Sequence, residues 1–251
     1  MLHILKRHPL PVEAFFRHSL VLTYAFPQEL LRPLLPPGLV LDTYKDFGFL
    51  AIAMVQTENL RPALLPRMLG QNFFLSGYRI FARLDTASGS IRGLRILRSD
   101  TDKRLMVISG NLLTHYAYQP CRVSLQHDSD ELSVKITTPD AYADLEVCAD
   151  IAHQPAPLPE GTPFENKKEA RKFAGPLPYT FDYEKETHSI IMIRGVRENW
   201  NPQPVRVNVA TCTFLNQEPF CRAVPRLANA FHLQDVAYRW ERGVRTVIKA
   251  Q

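Results

Sequence analysis

The sequence predicts an α+β fold dominated by antiparallel β-structure, a strongly curved or closed sheet with helices packed outside it or plugging it. Three observations lead there. About a dozen short runs alternate apolar and polar residues between Gly, Pro, Asn and Asp punctuation. Roughly two to four segments carry helical spacing. The chain has 251 residues of which 45% are hydrophobic, enough to bury roughly 70–75% of the unfolded surface in one core. A single domain over 1–251 is expected.

From Ser19 the chain reads as a strand, then a short helix opened by Pro27, because proline suits a first helical position. Pro36-Pro37 stops the helix, Gly38 turns the chain, and two strands follow, the second in the apolar run Phe47–Val55. Phe73–Leu84 alternates as a strand with Phe74, Ser76, Tyr78, Ile80 and Ala82 on one face. Phe73, Leu75, Gly77, Arg79, Phe81 and Arg83 share the other, an arginine-bearing face. The turn Asp85–Ser90 leads to a strand at Ile91–Leu97, a hairpin with a somewhat long loop. Leu105, Ile108 and Leu112, with Val107 and Leu113, favour a helix between Asp100 and Tyr118.

Arg122–His127, Glu131–Thr137 and Ala143–Cys148 read as an antiparallel meander. Residues 153–163 hold four prolines and one glycine, and a helix over Pro163–Phe173 ends at Gly175-Pro176. This stretch is an excursion within one sheet system, since the strands Tyr179–Tyr183, Ser189–Val196 and Val205–Phe214 would be orphaned as a separate unit. Pro219–Phe231 predicts a helix, and Asp235–Glu241 with Val244–Lys249 a final hairpin about Arg242-Gly243.

Several function classes lose their starting points. The net charge is +5, but the basic residues are dispersed and interleaved with acids, as in Lys167–Lys172 beside Glu165, so no nucleic-acid partner is expected. The longest apolar runs are near nine residues, far short of the ~20 that cross a bilayer, so no membrane partner is expected either. Met1–His8 is basic without the apolar stretch of a secretion signal. Cys121, Cys148, Cys212 and Cys221 lack metal or disulfide spacing and read as reduced thiols of a cytoplasmic protein. The histidines are scattered and Asp100-x-Asp102 is turn-like, so neither a metal nor a cofactor is expected. No G-x-S-x-G, phosphate-cradling or G-x-G-x-x-G loop occurs. Trp200 is a candidate rim residue.

The wording of the opening is specific: a helix with Leu30-Leu31, Pro36-Pro37-Gly38-Leu39, then a short strand ending in Asp42-Thr43. It resembles the opening of DUF2071 proteins, relatives of the acetoacetate decarboxylase superfamily. The resemblance runs from about residue 15 to 140 and resumes at His232–Trp240. It implies a cone-shaped β-barrel with peripheral helices and an internal ligand pocket. It also implies a test, because a decarboxylase of this kind forms an imine through a lysine kept neutral by a second cation. At the corresponding place this chain reads Asn111–Pro120 without lysine, and its Lys167-Lys168 pair falls in a solvated helix. The acidic partners are also missing, with Leu50 or Ala51 near the first position. Whether the chain is an enzyme is left open, and Schiff-base decarboxylation is not expected.

What the resemblance leaves in the pocket is an imidazole, phenols and guanidiniums. His115 and Tyr116 are candidate catalytic groups, an imidazole titrating near neutrality beside a phenol being a plausible general base. Arg79, Tyr78, Asn111, Tyr118 and Arg95 are candidate ligand-binding groups, with Arg79 clamping a carboxylate. The plainer reading has His115 hydrogen-bonded at a helix end, the tyrosines as core rings, and Arg79 paired with Asp100 or Asp102. Two functions follow. One is binding, or transformation without an imine, of a small, partly apolar organic acid or carbonyl compound. The other is a structural or interaction role for a barrel filled by its own side chains. Homo-oligomerisation is left open.

Overall fold

The computed structural model describes residues 2–198 and 200–248. In chain order the elements begin with α1 (Leu2–Leu5), β1 (Val12–Pro27), α2 (Gln28–Leu31), β2 (Leu39–Leu41), β3 (Thr43–Tyr44) and β4 (Phe47–Pro62). Then come β5 (Gln71–Thr86), β6 (Gly89–Thr101), α3 (Arg104–Leu113), β7 (Tyr118–Pro120), β8 (Arg122–His127), β9 (Glu131–Thr137) and β10 (Leu145–Asp150). The remainder is α4 (Lys167–Ala174), β11 (Tyr179–Glu184), β12 (Ser189–Arg197), β13 (Gln203–Pro204), β14 (Arg206–Cys212), β15 (Arg226–Trp240) and β16 (Val244–Val247). No helix among the described residues is long and apolar enough to cross a membrane.

The large sheet closes on itself. Its neighbours run β15-β1-β4-β5-β6-β11-β12, and β12 pairs back onto β15 through Gly195↔Trp240, Val196↔Arg239 and Arg197↔Tyr238. Around this seven-strand ring the pairings are antiparallel except for the parallel β6–β11 step, where Thr180 faces Leu94. The predicted curved or closed antiparallel sheet is thus a barrel. A second, four-stranded sheet, β14-β10-β9-β8, lies against its outside.

The outer faces of β1, β4 and β5 make the contact between the two sheets. Leu20, Leu22 and Tyr24, Leu50, Ile52 and Met54, and Tyr78 and Ile80 form one buried cluster with Leu132, Val134, Ile136, Leu145 and Val147 of the small sheet. Each strand of the small sheet alternates apolar-in and polar-out, as β10 does with Leu145, Val147 and Ala149 buried.

Three predicted elements differ. Pro219–Phe231 is not a helix: a single 3₁₀ turn spans Phe220–Arg222, and Arg226 already begins β15. Residues 226–240 form a ladder along β1, from Ala25↔Arg226 to Val12↔Trp240, and that burial overrides the local helical propensity. The last hairpin is not formed either, because β16 pairs with β12. Gly243 donates its N–H to His8 O at 3.0 Å, which turns the chain away from β15. Val205–Phe214 does not resume the barrel, since β14 joins the edge of the small sheet beside β10. The β5–β6 hairpin is tighter than expected, its ladder continuing to Thr86↔Gly89 with Gly89 at φ +130°.

Where the two sheets meet, three imidazoles gather. His18 on β1 and His232 on β15 are 7% and 3% exposed, with Nδ1 and Nε2 3.2 Å apart. The His127 ring of β8 lies 4.5 Å from that of His18. Burial holds both inner imidazoles below their ordinary pKa, His232 at about 4; His127 disfavours charge on both and His18 on His232, while at His18 Arg17 adds to the shift and Asp235 and Glu58 oppose it. A histidine kept neutral by folding is protonated more readily in the unfolded chain. Its stabilising contribution is therefore complete above the unfolded pKa of 6.5 and is lost as pH falls towards 4. For His232 the loss between pH 7 and 5 is about 2 kcal/mol, or roughly 4–8 °C in Tm. Thermal melts at both pH values for the wild type and His232→Gln test this: the pH-dependent drop should shrink by that amount in the variant, and an unchanged drop refutes it.

Candidate functional site

The barrel is hollow. A chamber of about 340 Å³ lies along its axis, at the lower end of the size range of small-molecule sites. It exists because the inward beat of the strands carries small side chains: Ser19 and Thr23 on β1, Ala51 and Ala53 on β4, Gly77 on β5 and Ser99 on β6. Two irregularities keep the lining continuous. The β1 register shifts between Phe16 and His18, so Phe16 faces inward together with Ser19 and Val21. On β6 an extra residue opposite Tyr78/Arg79 lets Leu94, Ile96 and then Ser99 line the chamber.

One end is plugged by α3, whose Met106, Gly110 and Leu113 turn inward while Leu105, Ile108 and Leu112 are exposed at 53%, 67% and 44%. Leu10 and Pro62 also line the chamber, Pro62 followed in sequence by the exposed Leu64 and Met68. Ala174–Leu177, at the C-terminal end of α4, line the chamber elsewhere. Asn166 caps α4 by accepting the Glu169 N–H at 2.9 Å, and Thr23 and Asn229 donate to Ala174 O at 3.2 and 3.3 Å.

The charged lining is one-sided: Arg61, Arg79 and Arg197, with no aspartate, glutamate or lysine among the described residues. Arg61 is compensated, ion-paired to Glu13 at 2.8 Å and donating to Leu65 O and Asn59 O. Arg79 is not. Its guanidinium folds back over Gly77, where a Cβ would come within 2.9 Å of Nε. That Nε is buried without a hydrogen-bond partner. Burial pulls the Arg79 pKa below its ordinary value, and only the phenols Tyr238, Tyr116 and Tyr118 oppose this. Arg197 has neutral partners, donating to Leu177 O at 3.2 Å and Pro176 O at 3.4 Å with its guanidinium 4.0 Å from the Trp200 ring centroid. Burial lowers its pKa too, with Tyr238 in opposition.

Of the residues nominated from sequence, Arg79, Tyr116 and Tyr118 meet in the chamber, with the Tyr116 hydroxyl 2.9 Å from Thr180 Oγ1. The other four lie outside the lining. Tyr78 is on the opposite face of β5, its ring stacked 4.1 Å from Phe214 and its hydroxyl donating to Ala143 O at 3.1 Å. Asn111 is used up by the Tyr118 backbone, accepting its N–H at 2.8 Å and donating to its carbonyl at 2.9 Å. Arg95 is ion-paired to Asp182 at 3.0 Å. His115 sits behind the wall, its backbone N–H on Asp182, its Nε2 buried without a partner and its pKa lowered chiefly by burial. Nor does Arg79 pair with Asp100 or Asp102: Asp100 holds Arg98 at 2.7 Å and Asp102 accepts the Phe74 N–H at 2.8 Å. Lys167 and Lys168 are exposed on α4.

Sequence reasoning missed His8, Phe16, Arg197, Tyr238 and Trp240. His8 is the imidazole that lines the chamber, 7% exposed, with its pKa lowered by burial and its Nδ1 unpartnered. Arg197 had the signal that found Arg79, an arginine on the inward beat of Ile191, Ile193 and Gly195. Phe16, Tyr238 and Trp240 form one aromatic wall, Phe16 and Tyr238 stacked at 4.7 Å and Tyr238 and Trp240 4.5 Å apart.

Comparison with solved structures places this architecture. The acetoacetate decarboxylase of Legionella pneumophila superposes with a TM-score of 0.66 at 11% identity, covering 95% of this chain and 88% of that one. The enduracididine biosynthesis enzyme MppR, complexed with the condensation product of pyruvate and imidazole 4-carboxaldehyde, gives 0.64 at 10% identity over 94% and 89%. An acetoacetate decarboxylase-like enzyme from Sphingomonas wittichii RW1 gives 0.59 at 13% identity over 95% and 93%. At these identities the similarity establishes the fold. No curated protein matches the chain. The DUF2071 family, described as an uncharacterized conserved protein, matches residues 13–236, nearly the whole barrel and all of the small sheet; the chain belongs to the DUF2071 family, on an acetoacetate decarboxylase-like fold.

Proposed function

We propose that the chamber binds a small, partly apolar organic acid or carbonyl compound, its carboxylate seated on Arg79 and its body against the apolar walls, and that no imine forms there. The observation that carries this is the uncompensated Arg79 guanidinium in a mainly apolar chamber. A buried charge without a counterion is costly, and an arriving carboxylate supplies the missing bidentate partner. The hydroxyls of Tyr116, Thr180 and Tyr238 stand by as donors to a carbonyl oxygen. The pyruvate bound by MppR belongs to the same ligand class. A side-chain-filled barrel would have left Arg79 either paired or absent.

Screening keto acids, fatty acids and polyketide-like acids by thermal shift should find stabilising ligands whose effect disappears in Arg79→Gln; uniform silence, or ligands indifferent to that substitution, would reject the reading. Borohydride added with a keto acid should leave the protein unlabelled, whereas a lysine adduct would restore imine chemistry. Arg79→Met should also make the unliganded protein more stable, by on the order of 1–2 kcal/mol, because an apolar side chain of similar length fits the chamber without a desolvated charge. Equilibrium denaturation measures it, and a variant less stable than the wild type would show that Arg79 is satisfied by the protein itself.

A further inference from the structure

Arg79 is one of two uncompensated guanidiniums in the chamber, and they come from opposite walls. Arg79 is on β5, which stands three strands from the β12–β15 seam in one direction, through β4 and β1, and three in the other, through β6 and β11. Arg197 is on that seam, directly across from Tyr238. Its contacts, two backbone carbonyls and the Trp200 face, orient the guanidinium without neutralising it. Tyr238 bears electrostatically on both arginines, and its hydroxyl lies over Gly195, where any Cβ would collide with it. The walls between are mainly apolar, with Phe16, Val21, Ala53, Val55, Phe231 and Trp240, and their polar groups include the uncharged hydroxyls of Ser19, Thr57 and Thr180.

Building on the reading that this chamber takes an organic acid, we infer that its ligand is a dicarboxylate with an apolar body, one carboxylate on Arg79 and the other on Arg197. Two positive charges in a chamber without an acid are neutralised by two negative ones. Rooted on strands at opposite walls, they are matched by negative charges at separate ends of the ligand. A phosphate monoester carries both charges at one end and leaves an arginine unpaired. A monocarboxylate does the same. Arg61, already neutralised by Glu13, adds no third demand.

The test is isothermal titration of the 251-residue chain at pH 7.5 with straight-chain α,ω-dicarboxylates from glutarate to sebacate, against monocarboxylates of matched length. The expected result is a length optimum among the diacids, at least tenfold tighter there than the matched monoacid. Arg197→Gln should lower the diacid to the level of the monoacid while leaving the monoacid unchanged. Arg197→Lys, which keeps the charge, should retain part of the diacid preference, and a single cooperative thermal transition without ligand, whatever its midpoint, shows that the variants are folded. Arg79→Gln should weaken both classes. No diacid preference at any length, or an Arg197→Gln variant that weakens mono- and diacids equally, overturns the two-headed ligand while leaving acid binding at Arg79 intact. Silence from every acid overturns both.

Discussion

The seam between β12 and β15 decides what this molecule is. Among the described residues, the pairs Gly195↔Trp240, Val196↔Arg239 and Arg197↔Tyr238, extended by the Glu241 N–H donating to Arg194 O at 2.8 Å, turn a long twisted sheet into a barrel. The same pairs place a guanidinium, a phenol and an indole on the chamber wall. Glycine is needed at 195 because the Tyr238 hydroxyl occupies the space a Cβ would take. Closure also removes two free sheet edges, so the backbone groups of β12 and β15 are satisfied here without a neighbouring molecule.

Closure alone would give a filled barrel; the hollow comes from how side-chain volume is divided between the two faces of each strand. On β4 the outward residues Leu50, Ile52 and Met54 are at most 1% exposed and packed against the small sheet, while Ala51 and Ala53 face inward. The large residues thus stabilise from outside, at roughly 1.5–3 kcal/mol for each fully buried side chain. This outer core gives the barrel its rigidity, so the inner face can carry empty volume and uncompensated charge, both destabilising. The second sheet is for this reason part of the site's construction even though none of its residues lines the chamber.

This division also explains what was legible beforehand. Alternation predicted most strands, and on β5 it assigned Phe73, Leu75, Arg79 and Phe81 correctly to one face. The motif at Leu30–Thr43 and the missing lysine pair gave the family and the expectation about imines, because both are local in sequence. What failed depends on long-range pairing. The run at 219–231 has helical composition, yet β1 claims most of it as a strand. Tyr78 and Arg79 are neighbours on opposite faces, so nominating both contradicted the strand's own period. His115 and Arg95 are close to the wall but are absorbed by Asp182, a partner 67 and 87 positions away that no spacing rule announces. The turn that brings His8 to the chamber depends on Gly243 and Leu113, again distant in sequence.

The choice of arginine constrains the chemistry further. An imine-forming barrel exploits the fact that desolvation and a neighbouring cation can strip a lysine of its proton near neutrality, which turns burial into reactivity. The same burial acts on Arg79 and Arg197 and lowers the pKa of each. From an ordinary value so far above neutrality, however, a lowered guanidinium stays charged at physiological pH. Burial here does not create a nucleophile; it strengthens the attraction for an anion by removing competing water. Asp182 cannot interfere, although burial raises its pKa to about 6, because Arg95 and the His115 amide hold it behind the wall. On the proposed reading, a guanidinium in this architecture serves electrostatic rather than covalent capture. On the same reading, any reaction of the ligand is left to groups that move protons, and those at the wall include His8 and the hydroxyls of Tyr116, Tyr118, Thr180 and Tyr238.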